Sequence, residues 1–351
     1  MDKEIIFSVA GSGKTTYLIN VLNTEQRFLI ITYTRDNCEN IKSRITALFG
    51  YMPSNIICLT YFSFILSWGI KPYNIQNCPN INSIIYDQPK RYVHKKNIEH
   101  YLKENAIYHC RLYDFICEKN LSTKLISRIE LFFDVVMIDE VQDFAGYDFD
   151  FIMDLAKSEN LALVYVGDFF QHTFDTSRDG SKNSHLHDSF DAYKKRFEGF
   201  THNKLEICYR CPEAICRFIS DNLNIHMQHN AQNNKVVAAP KLLEKHDDII
   251  NVVNNDNIPK LFYKKASDYK CYAMTWGISK GLEFDDVCVV LNKATLDKFK
   301  NNTLKDLSPS TRNRLYVACT RTRGNLYFID ESCLSTGNNG TTSFLQMTLP
   351  L

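Results

Sequence analysis

An apolar, β-prone run, Ile5-Ile6-Phe7, leads straight into Ser8-Val9-Ala10-Gly11-Ser12-Gly13-Lys14-Thr15, and helix-forming residues follow from Thr16 to Leu22. No other stretch restricts the possible folds as strongly. Glycines at 11 and 13 let backbone amides turn inward on phosphate oxygens, and the helix that follows adds its own amides. A lysine next in line reaches the β- and γ-phosphates, and the hydroxyl after it binds Mg²⁺. The string therefore reads as a P-loop with serine at its first position. Ala10, Gly11, Ser12, Gly13, Lys14, Thr15 and Thr16 are expected around a nucleotide, with Thr15 on the metal.

A P-loop needs a parallel sheet behind it, and the chain supplies the repeats. Phe28-Leu29-Ile30-Ile31 is a buried-strand run followed by a helical pattern from Asn37 to Leu48, and Ile56 to Thr60 begins another such unit. Alternation of this kind predicts a doubly wound parallel sheet with ligands at the carboxyl ends of its strands. From Lys71 to Arg128 the periodicity becomes mixed and the composition basic, with ten Lys/Arg against five Asp/Glu. A small inserted subdomain is expected there. Val135-Val136-Met137-Ile138 resumes the sheet and delivers Asp139-Glu140-Val141-Gln142-Asp143 at its tip. An acidic pair at a strand end, in a chain with a P-loop, is what Mg²⁺ and a hydrolytic water require. Asp139 is expected on the metal and Glu140 on the attacking water. The run Leu161 to Val166 ends in Gly167-Asp168, and Gln171 shortly after has an amide suited to sensing the γ-phosphate.

A Ser, Asp, Gly and Asn-rich stretch from Thr176 to Ser189 separates this half from a second, expected to begin near residue 200. There the strand-like runs are Cys271 to Thr275, Val287 to Leu291 and Leu326 to Ile329, with a helix near Arg314 to Arg321. The formal charge of +1 gives no global pull towards nucleic acid or membrane, so a basic binding surface has to be local. The twelve cysteines show no zinc-finger spacing beyond one CxxC, Cys208 and Cys211, and read as free thiols. With no signal-peptide-like or membrane-spanning run, a cytoplasmic protein without membrane association is expected. The tail after Ser332 is rich in Ser, Thr, Gly and Asn and is expected to be loosely held.

Taken in order, these strings resemble superfamily 1 DNA helicases of the UvrD/Rep type. AGSGKT at Ala10 to Thr15 looks like the family's first motif. Thr32-Tyr33-Thr34 with Arg44-Ile45, Thr60-Tyr61-Phe62-Ser63-Phe64, the box Asp139 to Asp143, and Val166-Gly167-Asp168 with Gln171 resemble the next ones. Tyr209-Arg210, Lys280-Gly281-Leu282-Glu283-Phe284, and Tyr316-Val317-Ala318 with Thr320-Arg321 resemble the last three. Specificity lies in the series and its order, not in any one string.

The resemblance implies two RecA-like domains, residues 1–199 with an insert at about 71–128, and residues 200–351, binding ATP and Mg²⁺. It implies that Tyr209 stacks on the adenine, Glu283 contacts the ribose, and Arg210 and Arg321 reach the γ-phosphate. It also places Thr32, Tyr33, Thr60 and Phe174 on single-stranded DNA. The span from Arg210 to Thr275 is too short for the large insertion, called 2B, that members carry, so a reduced core is expected. Two functions fit. One is an ATP-dependent helicase or translocase on single-stranded or tailed duplex DNA, moving 3′ to 5′ by family analogy. The other is a DNA-activated ATPase switch serving a partner nuclease or another subunit, for instance in antiviral defence.

Overall fold

The computed structural model describes residues 2–76, 78–90, 92–173 and 180–334. Phe174 and the tail beyond Leu334 lie outside these described residues. The chain forms two compact units. The first holds the residues up to Phe7, Lys14–Asp168 and the segment ending at Lys204, and the second holds Ser8–Gly13, Phe169–Thr173 and the chain from Leu205. The division passes through the P-loop string itself.

In the first unit the chain lays down β1 (Lys3–Ser8), β2 (Phe28–Thr32) and β3 (Ile56–Thr60). A three-stranded insert follows, with β4 (Ser83–Ile85), β5 (Leu102–Lys103) and β6 (Ala106–Tyr108). The main sheet then resumes with β7 (Val135–Ile138), β8 (Ala162–Gly167) and β9 (Thr201–Leu205). Its order is β3-β2-β7-β8-β1-β9, and the pairs β2–β3, β2–β7, β7–β8 and β1–β8 are all parallel. All five residues of β2 and all four of β7 are buried, because a parallel strand covered on both faces needs an unbroken apolar run. The helix Arg35–Phe49 between β2 and β3 begins where the Thr34 side chain accepts from the Asn37 amide. It ends at Gly50, whose φ of 79° suits a left-handed cap.

The second unit starts with a two-stranded parallel ribbon, β10 (Ile207–Cys208) and β11 (Gln228–His229). Its main sheet is built from β12 (Lys241–Leu242), β13 (Lys260–Phe262), β14 (Ala273–Thr275), β15 (Val287–Leu291) and β16 (Leu326–Asp330). The order is β12-β16-β15-β13-β14, again with parallel pairs throughout. The expected α/β class with two parallel sheets is what the chain adopts. The helix expected near Arg314 starts earlier, at Pro309, because proline has the φ of a first helical turn and no amide to leave unsatisfied. The aromatic run after β3 forms one short helix, Tyr61–Phe64, continued by a wider π-turn segment, Ile65–Ile70. All twelve cysteines are free thiols. Among the described residues no helix is long and apolar enough to cross a membrane.

Candidate nucleotide site and nucleic-acid face

The sequence motifs divide between the two units. In the first, β1 feeds the P-loop and the helix Lys14–Asn20 takes up the chain, bringing Lys14, Thr15 and Thr16 to the carboxyl edge of the sheet. β7 ends at the same edge with Asp139, whose amide donates to Ile31 O at 2.9 Å and whose side chain is 3% exposed. Burial above all, then the neighbouring Glu140, pushes the Asp139 carboxyl up to about 7, while Lys14 pulls it the other way. Its Oδ1 has no hydrogen-bond partner among the described residues. A buried carboxylate that is disfavoured when ionised and keeps an unsatisfied oxygen fits a divalent cation, which would supply the missing positive charge.

Glu140 occupies the left-handed region, φ 53° and ψ 46°, which is strained for a residue with a Cβ. Its carboxylate is held from the side. Gln142 is fully buried; its amide oxygen accepts from the Asp168 backbone N–H at 3.0 Å, and its amide nitrogen donates to Glu140 Oε2. Because the Asp168 backbone N–H can only donate, the Gln142 amide is fixed one way round and its NH₂ has to face Glu140. Gly167 makes room for this arrangement: a Cβ there would lie 2.3 Å from Gln142 Oε1 and 2.7 Å from Val141 Cγ1. In sequence Gln142 carries no expected role of its own. Its place inside the acidic box was the available signal.

Of the residues expected on nucleic acid, Thr32 is fully buried with its hydroxyl lacking a partner among the described residues. Tyr33 is 7% exposed and donates its hydroxyl to Asp148 Oδ2 at 3.1 Å. Thr60 is half-buried; it caps the helix Tyr61–Phe64 by accepting from the Ser63 amide and donates to Ser63 Oγ at 2.9 Å. Phe174 lies outside the described residues.

In the second unit the loop Ser8–Gly13 turns through two left-handed glycines, Gly11 at φ 67° and Gly13 at φ 82°. The Ala10 amide donates to the Tyr316 hydroxyl at 2.7 Å, and Gly11 O accepts from the Tyr209 amide at 2.9 Å. Gly11 is tightly approached: a Cβ there would sit 2.7 Å from Arg210 Cβ. Ser12 Oγ is buried without a partner among the described residues. The Tyr209 ring is 57% exposed. Arg210 donates Nε to Glu283 Oε1 at 2.9 Å and Nη1 to Thr320 O at 3.2 Å, and Arg323 Nε donates to Glu283 Oε2 at 2.9 Å. Burial works against charge on Glu283, but the two guanidiniums, Arg210 foremost, overcome it and hold the carboxyl below its usual range. Arg321 is 1% exposed; its Nε donates to Val317 O at 2.9 Å and its Nη2 to Gln171 Oε1 at 3.5 Å. The expected sensor glutamine and one expected arginine finger therefore meet, 150 residues apart in the chain.

A parallel-sheet unit with Lys14 and a strand-end acidic pair, and a second parallel-sheet unit carrying buried and paired arginines, are the two-sheet α/β architecture of the P-loop helicase class. Viral superfamily 1 RNA helicase core domains match residues 90–330, more than two thirds of the chain. The chain belongs to this family of superfamily 1 helicase cores. The matched range begins after the P-loop, Thr32-Tyr33 and Thr60. Among solved structures, the arterivirus nonstructural protein 10 helicase, in a complex with DNA, is similar at 14% identity and a TM-score of 0.50. That match covers 94% of this chain and 61% of that one. The same arterivirus protein in another crystal structure matches at 15% identity and a TM-score of 0.49, covering 93% and 59% of the two chains. The PRRSV helicase matches at 15% and 0.48, covering 96% and 55%. This chain spans about three fifths of the length of the helicase in the DNA complex, whose fold it shares. No curated protein matches the chain.

Proposed function

We propose that the chain is an ATP-dependent motor on single-stranded nucleic acid, hydrolysing Mg²⁺-ATP and moving 3′ to 5′, with DNA as its track. The observation that carries this reading is the strand-end acidic pair: buried Asp139 with an unsatisfied oxygen and Glu140 aimed by Gln142, in the unit that holds Lys14. In this reading Ala10 to Thr16 wrap the triphosphate, Lys14 draws charge from the β- and γ-phosphates, and Thr15 and Asp139 hold the metal. Bound Mg²⁺ neutralises phosphate charge. Glu140 takes the proton of the attacking water, and Tyr209 offers an open ring face to adenine. Glu283 faces the ribose, Gln171 reports the γ-phosphate, and Arg210 and Arg321 stabilise the charge of the transition state. Such arginines are worth about 10³ to 10⁵ in rate. Thr32, Tyr33, Thr60 and Phe174 are proposed on the strand. The division of labour follows two RecA-like domains, residues 1–199 with the insert and residues 200–351.

The narrower likeness to UvrD/Rep-type members, the polarity and the preference for DNA rest on the motif strings alone. The matched family is described as RNA helicases, so both sugars belong in the test. One observation favours the second reading, a nucleic-acid-activated switch for a partner nuclease or defence complex. Between Arg210 and Thr275 the chain forms two α-helices, Glu213–Leu223 and His246–Val253, a 3₁₀ turn, Ala266–Asp268, and short strands of the second unit, with no large accessory domain. ATP hydrolysis with and without single-stranded DNA or RNA, run beside strand displacement on 3′- and 5′-tailed duplexes, tests both. Stimulated hydrolysis with displacement from the 3′ tail supports the motor. Stimulated hydrolysis without displacement supports the switch, and absence of stimulation by either polymer refutes both.

A further inference from the structure

The register of the insert sheet pairs Ile85 of β4 with Tyr108 of β6 in parallel, so the residues that leave the two strands, Tyr86 and His109, emerge side by side. Their rings stack, with centroids 5.2 Å apart and planes 26° apart. His109 is 7% exposed and its Nδ1 lies 3.4 Å from Ile85 O, whereas Tyr86 is 61% exposed. One face of the Tyr86 ring thus rests on a fixed imidazole and the other is open to solvent. Phe62 braces both rings edge-on, at 5.9 Å from Tyr86 and 6.3 Å from His109, and Phe62 itself packs on Tyr33 at 5.1 Å. An aromatic chain runs from the buried core to a single exposed ring.

We propose that Tyr86 is a stacking platform for an unpaired base of single-stranded nucleic acid. Three features select this occupant. The residues that follow Tyr86 in sequence, Asp87, Gln88 and Lys90, are exposed and polar, a surface that suits a hydrated polymer more than an apolar protein partner. The insert tract carries ten Lys/Arg against five Asp/Glu, which favours a polyanion. Ser63, next to Phe62 in sequence, is exposed, and its hydroxyl, which accepts from Thr60 at 2.9 Å, is suited to a phosphate oxygen. A ring already held in place gives up little freedom on binding, and stacking accepts any base because every base has a π-face. The inference rests on the proposed function and adds the insert as a contributor of base contacts.

The test uses the full chain and single-stranded DNA and RNA oligomers carrying 2-aminopurine, with anisotropy for affinity and 2-aminopurine quenching for stacking. Tyr86→Ala is expected to weaken binding of both oligomers about tenfold and to abolish part of the quenching, while Tyr86→Phe restores both. A blunt duplex, whose bases are already stacked, is expected to bind the wild type and Tyr86→Ala equally. A thermal melt controls for folding. Should Tyr86→Ala melt early, Tyr86→Trp is used instead, and its emission is expected to be quenched on adding an oligomer without the probe. Wild-type binding with unchanged affinity and quenching in Tyr86→Ala, or unquenched emission in Tyr86→Trp, overturns this inference and leaves the proposed function standing. Failure of the wild type to bind any single strand overturns both.

Discussion

Glu140 pays for its position with backbone strain, and the side chain of Gln142 fixes where its carboxylate goes. If Glu140 is the base, Glu140→Gln should lower kcat by about 10² to 10⁴ while nucleotide binding persists. Single-turnover hydrolysis beside equilibrium binding of a fluorescent ATP analogue measures the two separately. Lys14→Ala, by contrast, should lose binding and hydrolysis together. Gln142→Leu removes both the donor to Glu140 and the acceptor for the Asp168 amide. An unsatisfied buried N–H costs about 1–3 kcal/mol, so this variant should lose stability in urea titrations as well as turnover.

At the scale of elements, the tips of β7 and β8 work as one piece because Gln142, after β7, is bonded to Asp168, after β8. The close fit at Gly167 makes this junction intolerant of added volume. Gly167→Ala should cost about 1–3 kcal/mol through overpacking and should also displace Gln142, lowering turnover, as read by urea midpoint and steady-state ATPase. The strands were legible beforehand because parallel strands covered on both faces are continuous apolar runs, as in Phe28 to Ile31 and Val287 to Leu291. The stretch 222–265 was not. It is polar and Asn-rich, yet it contains β11, β12, β13 and the helix His246–Val253, strands of only two or three residues whose pairing comes from neighbours distant in sequence.

For the whole molecule, a net charge of +1 leaves nucleic-acid affinity to local cations such as those of the insert. On the proposed function, affinity for a single strand should still fall steeply with salt, log–log, at about 0.7 per phosphate contacted. A salt-independent affinity would place the polymer elsewhere than on the basic tract. The two units divide the motif residues between them, Lys14, Asp139 and Glu140 in one and Gln171, Arg210, Glu283 and Arg321 in the other. On the proposed function, Arg321→Ala in the second unit should lose hydrolysis as Lys14→Ala does in the first.

The α/β class, the P-loop string and the strand-end acidic pair were settled by sequence, because each depends on a few consecutive residues: glycines free to turn, an apolar run, a carboxylate at its end. What only tertiary structure decided are contacts between residues far apart in the chain. Arg321 meets Gln171, Arg210 and Arg323 share Glu283, Tyr33 turns its hydroxyl to Asp148, and Tyr86 lies on His109. Local periodicity carries no information about such partners. They are chosen by strand register and by the need of buried polar groups for a hydrogen bond, and both exist only once the sheets are formed.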